Sequence, residues 1–169
     1  MSTSAHIRAC TWFLMVGLTL SGLTAIPIQS EIAMAREVLG ADWSGGGRLP
    51  GGVVAWLQTL DRGIAATAER APFMFYGTDW LAFGHLMIAL ALVGAVIDPV
   101  RNRWLYQFGM IASVLVPFWA GLFGHVRGIP IWWRLMDASF GVAAFIPSWL
   151  CFRWTAELEK GSSRGRAPG

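Results

Sequence analysis

Four stretches of this chain run almost without charge for roughly the 20 residues a helix needs to cross a bilayer, within a range of about 17–25. They are TWFLMVGLTLSGLTAIPI (11–28), WLAFGHLMIALALVGAVI (80–97), LYQFGMIASVLVPFWAGLFG (105–124) and LMDASFGVAAFIPSWLCF (135–152). Hydrocarbon offers no water to backbone N–H and C=O groups, so a crossing segment closes its own hydrogen bonds as a helix. A membrane β-barrel requires segments of alternating polarity about ten residues long, and the sequence contains none. The expected fold is all-α, an integral membrane four-helix bundle. Composition agrees: 14% of residues are charged, against ~25% in a soluble domain. The basic excess is only +3, with no Lys/Arg run interleaved with aromatics, so nucleic acid is not an expected partner. The lipid bilayer is.

Ala33-Met34-Ala35 fits a small-residue cleavage pattern, but it lies well beyond Ile28 with Glu31 between. A signal peptide keeps its cleavage site close to its apolar core, so the first helix is expected to be retained. Four spans place both termini and the 98–104 loop on one side. Lys and Arg divide almost evenly between the two sides. Arg101 and Arg103 sit directly between two helices, whereas Arg48 and Arg62 lie in mid-loop. Basic residues near span ends weigh most in setting orientation. The expectation is a multi-pass protein of the bacterial inner (cytoplasmic) membrane with N- and C-termini in the cytoplasm. Trp12, Trp104, Tyr106 and Trp154 then form an inner aromatic belt, and Tyr76, Trp80, Trp132 and Trp133 an outer one.

The remaining organisation is simple. One membrane domain is expected over 1–160, with GSSRGRAPG (161–169) as a disordered tail. The connection 29–78 is much the longest. WSGGGRLPGG (43–52) reads as a helix-breaking hinge. After it Val53, Leu57, Leu60, Ile64 and Ala68 recur at helical spacing opposite Gln58, Arg62 and Glu69. That pattern is an amphipathic helix lying on the outer membrane surface or over the end of the bundle. Small residues at Gly17 and Ser21, Gly109 and Ser113, and Ala138, Gly141 and Ala144 allow close helix contact, within the chain or in self-association. Cys10 and Cys151 are isolated, lack a CxxC spacing, and read as packing residues.

Polar groups gather at the outer ends of the spans. Asp79 and His85 belong to the second span, His125 and Arg127 end the third, and Arg134 and Asp137 begin the fourth. Thr78 or Asp79 is placed to cap the second helix. Six residues on from Asp79, His85 lies about 9 Å inward. Arg134 and Asp137, three apart, can meet on one helix face, and pairing of Asp137 with Arg134, Arg127 or an adjacent helix end relieves the cost of an intramembrane carboxylate. Three readings of these residues stay open. They satisfy one another and the lipid phosphates. Or they form an outward-opening pocket for haem b, with His85 and His125 as the only candidate iron ligands, or for a quinone. Or His, Asp and Arg carry out intramembrane catalysis, although no HExxH, GxSxG or paired intramembrane carboxylates occur. Arg101 and Arg103 at the other face read as a headgroup anchor. No further metal site or cofactor is expected.

The strings YGTDWLAFGH, DPVRN, RGIP, WWRLMD and SFG, within about residues 72–152, resemble a group of small uncharacterised bacterial four-helix inner-membrane proteins. The resemblance implies a compartment and no activity. The function expected is a non-enzymatic membrane subunit or accessory factor, with membrane-protein partners.

Overall fold

The computed structural model describes residues 2–164, all helix and connecting turns with no strand among them. Its elements are α1 (Thr3–Ala25), α2 (Ile28–Leu39), α3 (Gly51–Arg70), a 3₁₀ turn (Pro72–Phe75), α4 (Tyr76–Ile97), α5 (Arg103–Val126) and α6 (Ile131–Arg164). Four segments are long and apolar enough to cross a membrane: Thr3–Ala25, Pro72–Ile97, Arg103–Val126 and Ile131–Lys160. The protein is thus a multi-pass membrane protein with an all-helical fold consistent with a membrane bundle. At most 28% of any of these apolar windows is buried, which leaves most of the span surface for lipid.

Helix ends and the ends of the apolar segments do not coincide throughout, because caps and packing rather than hydropathy end a helix. Ser2 starts α1 early, its Oγ accepting the Ala5 N–H at 3.4 Å. At the other end Pro27 disfavours helix at Ile26, and α1 stops at Ala25 rather than Ile28. Thr78 does not cap α4, since its hydroxyl donates to the Phe75 carbonyl at 2.7 Å. The helix already begins at Tyr76, fed by the 3₁₀ turn that Pro72 opens. α6 continues past Phe152 through Arg164, since Trp154, Thr155 and Leu158 still have neighbours to pack on. Residues 165–169 of the expected tail lie outside the described residues.

The chain forms two compact units, Met1–Leu18 with Met87–Gly169, and Thr19–Leu86. We call them terminal and central for their place in the sequence. The terminal unit is centred on Ile7 and Leu14 of α1, Leu92 and Ala95 of α4, Leu105 and Tyr106 of α5, and Cys151 of α6. All four spans therefore contribute to one core. Tyr106 is fully buried in it and is not part of an interfacial belt. Its hydroxyl has found an internal partner in Thr11 at 2.7 Å, which removes the need for water.

α5 and α6 pack along their length. Pro117 lacks an N–H, so the Ser113 carbonyl one turn earlier loses its helical partner. That oxygen faces Gly141 of α6, where an added Cβ would lie only 2.5 Å from it. At Gly109 an added Cβ would meet Ser148 Oγ at 2.7 Å. Hydroxyls along this contact bond back to their own helices, Ser113 to Gly109 O at 2.6 Å and Ser148 to Ala144 O at 2.7 Å. Between α4 and α5, Asn102 Nδ2 donates to the carbonyls of Gly94 (2.9 Å) and Asp98 (3.0 Å). Asp98 Oδ1 accepts the Arg101 N–H at 3.0 Å. DPVRN is thus a self-bonded turn.

In the central unit, the long connection is a helical hairpin and not one helix after a loose hinge. α2 carries Ile28, Ile32, Ala35 and Leu39 at helical spacing, a signal that the hinge reading of the following Gly-rich run overshadows. The hinge itself is ordered. Gly45, Gly46 and Gly47 take φ of 60–80°, and Trp43 joins them at φ 62°, a conformation costly for a bulky residue. Burial holds it there: Trp43 is 1% exposed, and its indole N–H donates to Asp61 Oδ2 at 3.3 Å. Arg36 Nη1 lies 3.6 Å from the same oxygen. The Ser44 N–H donates to Asp42 Oδ1 at 3.1 Å and holds that carboxyl below its ordinary value. Asp61 is the keystone, which makes a prediction. Asp61→Ala leaves a buried indole N–H unpaired, at about 1–3 kcal/mol, and should speed trypsin cleavage after the exposed Arg48. Asp61→Asn, which keeps an acceptor, should cleave near the parent rate. Equal rates for all three proteins would remove Asp61 from this role.

Candidate functional site

The six outer-end residues fall in both units, four in the terminal and two in the central one. In the terminal unit, α5 ends because Gly128 adopts φ 70°, closing the helix with Gly128 N–H on His125 O (3.1 Å) and Ile129 N–H on Gly124 O (2.8 Å). His125 and Arg127 are left exposed on this turn. Pro130 then precedes α6, whose first turn carries Trp132 and Trp133 in edge-to-face contact at 5.5 Å and brings Arg134 back over α5. There the Arg134 methylenes occupy the place that a side chain at Gly124 would need. Its Nη1 donates to Gly121 O at 3.3 Å, while Nε is buried without a hydrogen-bond partner among the described residues.

The expected Arg134–Asp137 pair is not made. Gly124 opens a slot that draws the guanidinium across to α5, away from its neighbour three residues on. Asp137 is half-buried and forms no hydrogen bond or ion pair among the described residues. A carboxylate inside a membrane span is costly unless it is paired, and no hydrogen bond or ion pair among the described residues offsets that cost here.

In the central unit, His85 is half-buried and its Nδ1 is 2.8 Å from Leu81 O. A carbonyl only accepts, so Nδ1 carries a proton and Nε2 holds the lone pair whenever the ring is neutral. Gly22 of α1 makes room for this helix face, since a Cβ there would come 3.1 Å from the His85 Cβ. Asp79 is exposed and lines a shallow depression of about 240 Å³ with Tyr76, Trp80 and Phe83. Those three rings stack edge-to-face at 5.9 and 5.5 Å. The larger concavity, about 520 Å³, opens between α2 and α3 with Gln29, Ile32, Arg36, Glu37, Asp61 and Ile64 on its walls. No sequence motif pointed to it.

At the other end of the spans, Arg103 is turned inward. Its Cζ lies 4.0 Å above the Phe152 ring, and Nη1 is 3.5 Å from Glu159 Oε2. Arg101 stays exposed. Nearby, a buried polar cluster joins residues that sequence reading left apart. Thr11 donates to Ile7 O (2.8 Å) and accepts from Tyr106, and the Cys151 thiol donates to the same Ile7 carbonyl at 3.6 Å. Cys10 packs against this cluster, and Thr155 Oγ1, one turn beyond Cys151 on α6, is buried without a partner among the described residues. The partners lie 95 and 144 positions apart in the chain, so no local spacing announced them. No group of three or more His, Cys, Asp or Glu suited to a metal ion occurs among the described residues. Comparison with protein-family models, curated proteins and solved structures finds no match.

Proposed function

We propose that this protein is a non-enzymatic component of the bacterial inner membrane, a subunit or accessory factor with both termini in the cytoplasm and the α2–α3 hairpin outside. The observation that carries this reading is where the outer polar groups are spent. Arg134 on α6 is spent on the α5 main chain and fastens those two helices, while the His85 ring is held by the main chain of its own helix. Arg101, exposed on a self-bonded turn, is the headgroup anchor, while Arg103 supports α6. Reporter fusions test the topology: a periplasm-dependent reporter is expected to be silent at either terminus and active when inserted at Gly46. Activity at the termini overturns the orientation. Blue-native analysis in a mild detergent tests the subunit role, a discrete complex of constant stoichiometry being expected; a chain that migrates alone overturns it.

One observation favours a second reading, a haem or quinone binder. Nδ1 donation to a carbonyl fixes the tautomer and orientation that a metal-ligating imidazole uses, and His85 has it. A Soret band in protein expressed with haem in supply, lost in His85→Ala, would favour this reading over the first.

A further inference from the structure

We propose that Asp137 is the docking point for a transmembrane helix of a partner protein carrying one lysine or arginine at matching depth. The inference rests on the subunit reading and names the contact it requires. Arg134, Asp137, Gly141, Ala144, Ser148, Cys151 and Thr155 recur on α6 at alternating intervals of three and four, which makes one continuous stripe. From Gly141 inward it is consumed by the protein itself: Gly141 sits against Ser113 and Pro117, Ser148 against Gly109, and Cys151 and Thr155 are fully buried. Arg134 is consumed as well, over Gly124. Among the described residues, Asp137 is the charged member of the stripe that forms neither a hydrogen bond nor an ion pair.

Asp137 is itself partly exposed, and exposed apolar side chains adjoin it in sequence. Phe140, on the next turn inward, is 64% exposed, and the adjacent Met136 is 42% exposed. A carboxylate framed by apolar side chains on a bilayer-crossing helix calls for a cation delivered through the membrane. Lipid amines are poorer candidates, because Asp137 lies four residues, about 6 Å along the helix axis, inward of Trp133, which with Trp132 marks the interface. A basic side chain on a neighbouring span reaches that depth and forms a charge-assisted hydrogen bond in a low-dielectric setting. Charge complementarity thus selects the partner's chemistry, and Phe140 and Met136 supply the apolar contact around it.

The full-length chain, reconstituted in phosphatidylcholine vesicles and labelled with a donor fluorophore, is mixed with a leucine-rich single-span peptide bearing an acceptor. One peptide carries a lysine at the depth of Asp137 and the other a leucine in its place. The lysine peptide is expected to associate about tenfold more tightly. Asp137→Asn should erase that preference, Asp137→Glu should retain it, and Asp79→Asn should leave it unchanged. Circular dichroism confirms that each variant is folded. Equal association of the two peptides, or a preference that survives Asp137→Asn, overturns the proposal. A native complex that persists in Asp137→Asn cells overturns the docking point and spares the subunit reading. A chain that prefers the lysine peptide but forms no native complex does the reverse.

Discussion

Replacing Gly141 with alanine is expected to destabilise the α5–α6 pair by about 1–3 kcal/mol, the usual cost of forcing a methyl group into a packed interior, and leucine should cost more. The reason is the identity of the neighbours. The new Cβ would stand 2.5 Å from the Ser113 carbonyl oxygen and 3.0 Å from Pro117 Cδ. Neither is the free end of a flexible side chain, so relief requires the two helices to move apart. Separation would also expose a carbonyl that Pro117 has already deprived of its helical partner, in a medium with no water to replace it. Gly84→Ala is the control. Nothing lies within 4 Å of a Cβ added there, and alanine favours helix over glycine by about 1 kcal/mol in water, so this variant should equal or exceed the parent. Thermal unfolding in detergent measures both. A Gly141→Ala protein as stable as Gly84→Ala would show that α5 and α6 do not approach so closely.

Tyr106→Ala is expected to cost about 3–5 kcal/mol, as truncations of large buried aromatic residues do. Tyr106 is fully buried and belongs to the cluster that all four spans share. Phenylalanine at this position separates the ring from the hydroxyl. Thr11 directs its own proton to Ile7 O, so Tyr106 is the donor in the 2.7 Å contact between them. Losing it leaves Thr11 with one bond still intact. Polar contacts between membrane helices measure about 0.6 kcal/mol on average and up to about 1.7, and Tyr106→Phe should fall in that range. The checking measurement is equilibrium unfolding in sodium dodecyl sulfate. If Phe and Ala prove equally mild, Tyr106 is not the packing centre of the terminal unit; if Phe is as damaging as Ala, the hydroxyl network matters more than the ring.

The candidate site was partly legible in sequence. Polar residues at span ends stand out against an apolar background, and Arg134, Asp137 and His85 were found that way. Their pairing was not legible. Spacing of three placed Arg134 beside Asp137, but a guanidinium has several neighbours within reach, and the slot over Gly124 belongs to another helix. α2 had an adequate local signal in Ile28, Ile32, Ala35 and Leu39. The glycine-rich run after it reads as flexibility, whereas Trp43 buried against Asp61 holds that run in place.

The sequence by itself determined that this chain forms four helices long and apolar enough to cross a membrane. Apolar length and the demand for internal backbone hydrogen bonds act locally, and each segment satisfies them alone. Tertiary structure alone decided where each helix ends, that Tyr106 belongs to the core rather than the interface, that Thr11, Tyr106 and Cys151 meet, and that Asp137 is left unpaired among the described residues. Those outcomes depend on which side chain on another helix comes within about 3 Å of a polar atom, and no periodicity along one segment encodes that distance.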